Sequence, residues 1–185
     1  VLEYDDVMNQ QREQIYGQRK EILMGGDVSA TIRAMVHKLI ETTAQLNFTG
    51  EGSFDWSVGD AKEYLEKLCL KPGTLDQYAE QIKKMDEPDE LVKWLEKDAD
   101  DFYAEREALL TEIGIDMREF ERVVLLSVID RHWMDHIDDM DNLRDGIGLR
   151  AYGQQNPVQV YRRESYDMFN DMIHLIREET VRRIY

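Results

Sequence analysis

Met117 to Asp145 reads MREFERVVLLSVIDRHWMDHIDDMDNLRD, without a proline or a glycine. Phe120, Val124, Val128, Ile129, Trp133, Ile137, Met140 and Leu143 recur at the spacing of one helix face. Asp116 stands where a side chain would cap the first turn. At 1.5 Å per residue the stretch makes a helix about 43 Å long. Gly146 and Gly148 are expected to break it, and Pro157 to bar its resumption before Val158. Val158, Tyr161, Met168, Phe169, Met172, Leu175 and Ile176 then return as a second helix of similar length. Two such helices joined by about a dozen residues form an antiparallel hairpin. Their stripes are wide enough to hold the pair together and still pack on a third helix.

Residues 1–24 can supply that third helix. Val1, Met8, Ile15 and Ile22 repeat at seven, flanked by Leu2, Tyr16 and Leu23. Gly25-Gly26 should end it, and Asp27 or Ser29 can cap the next helix, on which Ile32, Met35, Val36, Leu39, Ile40 and Leu46 keep helical spacing. From Thr49 to Asp60, glycines alternate with Phe54 and Trp56, a pattern that reads as a loop anchored by its aromatics. Short helices are expected over 61–70, closed by Pro72-Gly73, and over 75–85. A longer one starts near Pro88, a residue suited to a first helical turn, and carries Leu91, Trp94, Leu95, Phe102, Leu109 and Ile113. Residues 86–112 have a net charge of −8, whose plain reading is a solvated helix face. The fold class is therefore all-α: a long-helix scaffold interrupted by a compact helical insert at about 25–112.

The chain has 185 residues and a formal charge of −16, with 39 acidic against 23 basic residues. That balance argues against a nucleic-acid surface, which needs clustered Lys and Arg. One cysteine, Cys69, allows no internal disulfide and points to a reducing compartment. Asn47-Phe48-Thr49 fits a glycosylation sequon but, with no secretory signal, reads as a chance match. The longest apolar run is Val123 to Leu126, far short of the ~20 residues that span a bilayer. The chain opens on Val1 inside a helical pattern, which predicts a piece of a longer protein.

Constellations that carry chemistry are few. His132 and His136 lie four apart on a helix, as zinc-protease ligands do, and His132-Trp133-Met134-Asp135-His136 approaches the inverted zinc motif with Asp in place of Glu. A third ligand is missing, so the plain reading puts Trp133 and Ile137 on the core face and the histidines at its margins. Acid pairs such as Asp138-Asp139 point about 100° apart on a helix and do not share a substrate. There is no G-x-S-x-G, no dinucleotide fingerprint and no phosphate loop. This leaves the hairpin turn. Residues 144–163 are +3 in an acidic chain, and Tyr152 stands among small residues. Its alternatives are a contact point or an ordinary loop with Tyr152 folded back on the helices.

Val1-Leu2-Glu3-Tyr4-Asp5-Asp6-Val7-Met8-Asn9, followed by Gln11-Arg12-Glu13, resembles the start of the long scaffold helix of the SecA family, the ATP-driven motors of bacterial preprotein translocation. Trp133-Met134-Asp135-His136-Ile137, Met140-Asp141, Leu143-Arg144, Gly146-Ile147 and Leu149-Arg150-Ala151-Tyr152 are similar to that family's two-helix finger. The resemblance covers the whole chain and is least specific in its middle. It implies that residues 1–24 are part of the scaffold helix, 25–112 the helical wing, and 113–185 the returning scaffold with the finger, whose tip is about 146–157.

By the same resemblance the chain itself has no nucleotide site and is not an enzyme. ATP and Mg belong to missing motor domains, and Zn to a missing C-terminal tail of which Cys69 is no part. The finger tip Arg150, Ala151, Tyr152, Gly153 and Gln154 would contact the preprotein and the SecYEG channel, and Trp133, Met140, Leu143 and Arg144 would serve finger packing and regulation. Partners implied are the channel, unfolded preprotein, the motor domains in cis and anionic membrane surface; a homodimer stays open. The hairpin is further expected to restrain ATP hydrolysis until the channel or a preprotein engages it. The location implied is the cytoplasm and the cytoplasmic face of the cell membrane. A purely structural helical domain and a His-based metalloenzyme are the competing readings.

Overall fold

A computed structural model describes residues 2–47, 58–150 and 156–185. Among the described residues seven α-helices follow one another: α1 Leu2–Leu23, α2 Val28–Asn47, α3 Val58–Leu68, α4 Ala79–Ile82, α5 Asp89–Glu112, α6 Met117–Arg150 and α7 Pro157–Ile184. Leu75–Tyr78 forms a 3₁₀ turn before α4, and there is no strand among the described residues. The all-α class read from the sequence stands. Gly25 at φ +87° follows α1 and Gly114 at φ +81° follows α5, the left-handed conformation that ends helices and favours glycine. Asn156 caps α7 by accepting a hydrogen bond from the Val158 N–H at 3.0 Å, and Pro157 takes the first helical position, where no N–H is needed. No described helix is long and apolar enough to cross a membrane.

The chain divides into two compact units. The first comprises Val1–Asp27 and Arg122–Ile176, so α1 joins most of α6 and α7. Along α6 the buried residues Leu125, Ile129, Trp133, His136, Met140, Leu143 and Ile147 are spaced by three and four, the seam of a helix packed along its partners. Tyr4, Val7 and Met8 of α1 and Met168 of α7 pack against the cluster of Met140, Leu143, Ile147, Val160 and Tyr161. The second unit comprises Val28–Glu121 and Arg177–Tyr185. Its core joins Val36, Leu39 and Ile40 of α2, Leu65 of α3, Leu75, and Leu91, Leu95 and Ala99 of α5, with Val181. Glu66 Oε1 accepts hydrogen bonds from the backbone N–H groups of Gly73 and Leu75, at 3.0 and 3.4 Å, and so holds the turn after α3.

Several expectations from the sequence need correction. α6 does not break at Gly146 but runs to Arg150, because Ile147, 4% exposed, is buried with Val160 and Tyr161. Burial of one such side chain, worth about 1.5–3 kcal/mol, offsets the roughly 1.2–1.5 kcal/mol that the two glycines cost, one interior and one in the last turn. The described ends of the two long helices, Arg150 and Pro157, accordingly stand closer in the sequence than the dozen residues expected. The helix expected over 75–85 is a 3₁₀ turn and a single α turn ending at Ile82. Val58 to Asp60, expected in a loop, already belong to α3, while Phe54 and Trp56 lie outside the described residues. Leu2, Tyr16, Leu23, Leu46, Leu109, Ile113 and Leu175 are exposed, since each stripe is narrower than its apolar content suggests.

Candidate functional site

In the first unit α1 runs antiparallel to α6 and is tied to the hairpin at four levels. Near the start of α1, Arg144 Nη1 donates to Asp5 Oδ1 at 3.1 Å. The same guanidinium lies 5.3 Å from the centre of the Tyr4 ring, a cation–π arrangement. Tyr4 in turn meets Tyr161 of α7 edge to face at 4.7 Å. Midway, His136 Nε2 lies 2.6 Å from Gln11 Oε1 and Gln11 Nε2 donates to the Ser165 carbonyl at 3.2 Å. Further along, Arg19 grips both oxygens of Asp130 at 2.9 and 3.2 Å, the planar two-bond match of guanidinium to carboxylate. At the end of α1, Arg122 Nε donates to the Ile22 carbonyl at 3.3 Å, which suits a positive group at a helix C-terminus.

The structure places three of the four residues that the resemblance assigns to finger packing, Trp133, Met140 and Leu143, in the buried seam of α6. Met140 and Leu143 are buried side by side. Trp133 is buried against His136, ring centres 5.5 Å apart, and meets Tyr16 edge-on at 6.5 Å. Arg144 is half-exposed and bound as above. Ala151, Tyr152, Gly153 and Gln154 of the proposed tip lie outside the described residues, as does the side chain of Arg150.

His136 departs from its expected place: it is 3% exposed and sits on the seam, whereas Ile137 is only half-buried. Steps of three and four lead from Trp133 to Met140 through either 136 or 137, and the apolar pattern alone chooses Ile137. Gln11 and Ser165, both buried, escaped sequence reading for the same reason. Burial pushes the His136 pKa below its usual value, partly opposed by the charge of Asp139, so the ring is neutral at pH 7. His132 and His136 line a cleft of about 330 Å³ with Asp135, Asp139 and Asp171. The ring nitrogen Nε2 of His136 is engaged with Gln11, and among the described residues no group of three or more His, Cys, Asp or Glu is placed to hold a metal ion.

These features define an all-α scaffold: a long helical hairpin bound along a third helix, in a chain that carries a second helical unit. A family profile described as the SecA Wing and Scaffold domain matches residues 1–185. The chain is 44% identical over 186 residues to protein translocase subunit SecA 1 of Clostridioides difficile, and 42% over 188 to the SecA subunit of Heliobacterium modesticaldum. It is 43% identical over 186 residues to that of Clostridium botulinum strain Okra. All of this chain is covered in each comparison, against 20%, 21% and 22% of those relatives. The chain thus belongs to the SecA family as its wing and scaffold domain, and it spans about a fifth of the length of these curated relatives.

Proposed function

We propose that the chain is the mechanical part of an ATP-driven preprotein translocase, and that it relays movement of the motor domains to the finger. The observation that carries this reading is the four-level attachment of α1 to the hairpin, from Arg122 through Arg19 and Gln11 to Arg144. A displacement applied to a helix so held moves the whole hairpin with it, and with the hairpin its turn. Tyr152 then makes a broad contact with preprotein at the mouth of the SecYEG channel, flanked by Arg150, Ala151, Gly153 and Gln154. A ring with an apolar face and a hydroxyl suits many sequences at small entropic cost. The basic turn approaches channel loops and anionic lipid, at the cytoplasmic face of the cell membrane. ATP and Mg act in the motor domains and Zn in the C-terminal tail; this chain holds no cofactor and is no enzyme alone. Trp133, Met140, Leu143 and Arg144 set the hairpin's packing and so its restraint on ATP hydrolysis.

The test compares Tyr152→Ala and Tyr152→Leu in the full-length translocase, with preprotein transport into channel-containing vesicles measured beside basal ATP hydrolysis and a thermal melt. The alanine variant is expected to lose transport, to keep basal hydrolysis and to melt within about 0.5 kcal/mol of the parent, and leucine to do better than alanine. Normal transport by the alanine variant would leave only a structural domain.

A further inference from the structure

We propose that Gln11, His136 and Ser165 form a register lock, a single polar layer that sets how far the hairpin of α6 and α7 extends along α1. Each member is buried: Gln11 is 8% exposed, His136 3% and Ser165 0%. The layers to either side are largely apolar, with Ile15, Trp133 (whose indole N–H is itself buried) and Phe169 toward one end and Met140, Leu143, Val160 and Tyr161 toward the other. Apolar seams of three-and-four spacing tolerate a slip of one turn, because one buried side chain takes the place of another; a polar layer does not.

The direction of each bond follows from the chemistry. The Ser165 carbonyl can only accept, so the amide nitrogen of Gln11 faces it at 3.2 Å. The amide oxygen is thereby turned to His136 Nε2 at 2.6 Å, which must carry the ring proton. The Ser165 hydroxyl donates to the Tyr161 carbonyl of its own helix, and this small side chain leaves its carbonyl open to Gln11. A slip of one turn, about 5.4 Å, would set His136 against Val7 and Met8 or against Ile15, and would strand buried donors and acceptors in an apolar layer. The ion pairs at Asp5 and Asp130 are half-exposed and can find water or another partner after a slip. Enforcement of register therefore falls on the buried layer. The inference stands whether or not the finger acts in translocation.

The test uses the 185-residue chain carrying Cys69→Ala and pairs of cysteines bridged by a short bismaleimide. Asp5→Cys with Arg144→Cys reports the native register; Asp5→Cys with Asp141→Cys, or with Gly148→Cys, reports a slip of about one turn either way. With the layer intact, the native pair should cross-link at least about tenfold faster than the slipped pairs. In the double variant Gln11→Leu with His136→Leu, the melt should be unchanged or higher and the slipped pairs should approach the native rate. His136→Gln places an amide nitrogen near the position of imidazole Nε2 and should restore the native preference that His136→Leu loses. The lock is overturned if the double variant keeps its tenfold native preference, if it no longer melts cooperatively, or if His136→Gln slips as freely as His136→Leu.

Discussion

Gly146 and Gly148 give the sharpest test of where the long helix ends. If α6 runs to Arg150, both glycines lie at helical angles, neither has a positive φ, and an added Cβ meets nothing within 4 Å. Alanine then gains helix propensity, about 0.8–1 kcal/mol at an interior position such as Gly146. At Gly148, in the last turn, roughly half of that is expected, because terminal turns fray. The double substitution Gly146→Ala with Gly148→Ala should therefore stabilise the chain by about 1.2–1.5 kcal/mol, a rise in Tm of roughly 2–6 °C at this size. Urea titration and thermal melting followed by far-ultraviolet circular dichroism read the change. Gly114→Ala is the control of opposite sign. Its φ of +81° costs an L residue about 1–2 kcal/mol. Should the Gly146 and Gly148 substitutions lower the melt as Gly114→Ala does, the chain turns at Gly146 and the continuous helix is wrong.

Leu125→Ala and Val123→Ala, two residues apart on α6, should differ sharply: Leu125 is fully buried and Val123 is 56% exposed. The first should cost about 2–5 kcal/mol in a urea titration and the second no more than about 0.5 kcal/mol; equal costs would misplace the seam. Cys69 is buried and burial pushes its thiol up to about 12, so a thiol reagent should label it only as fast as the chain unfolds, and rapid labelling in the folded state would contradict that. Because the folded pKa of His136 lies below the ordinary 6.5, the unfolded chain takes up its proton first as pH falls. The corresponding stability is complete above about 6.5 and is lost as pH drops toward the folded value. Between about pH 7.5 and 5.5 the parent's urea midpoint should therefore fall further than that of His136→Gln, and parallel curves would place His136 in water.

The helices were legible in the sequence because their signals are local. The apolar period of 117–145, Gly25 after the first helix, Gly114 after α5 and Pro157 at the head of α7 each act within a turn or two of their own position. The resemblance at both ends of the chain was legible too, as ordered residue identities. What the sequence could not show depends on contacts between residues far apart in the chain. Ile147 keeps α6 helical across two glycines only because Val160 and Tyr161 cover it. The polar residues Gln11, His136 and Ser165 are core residues only because three helices bring them to one level, where each supplies what the next lacks. A pattern of apolar letters records which side chains avoid water. It holds nothing of which buried polar groups find each other, because that is decided by distance and direction between helices.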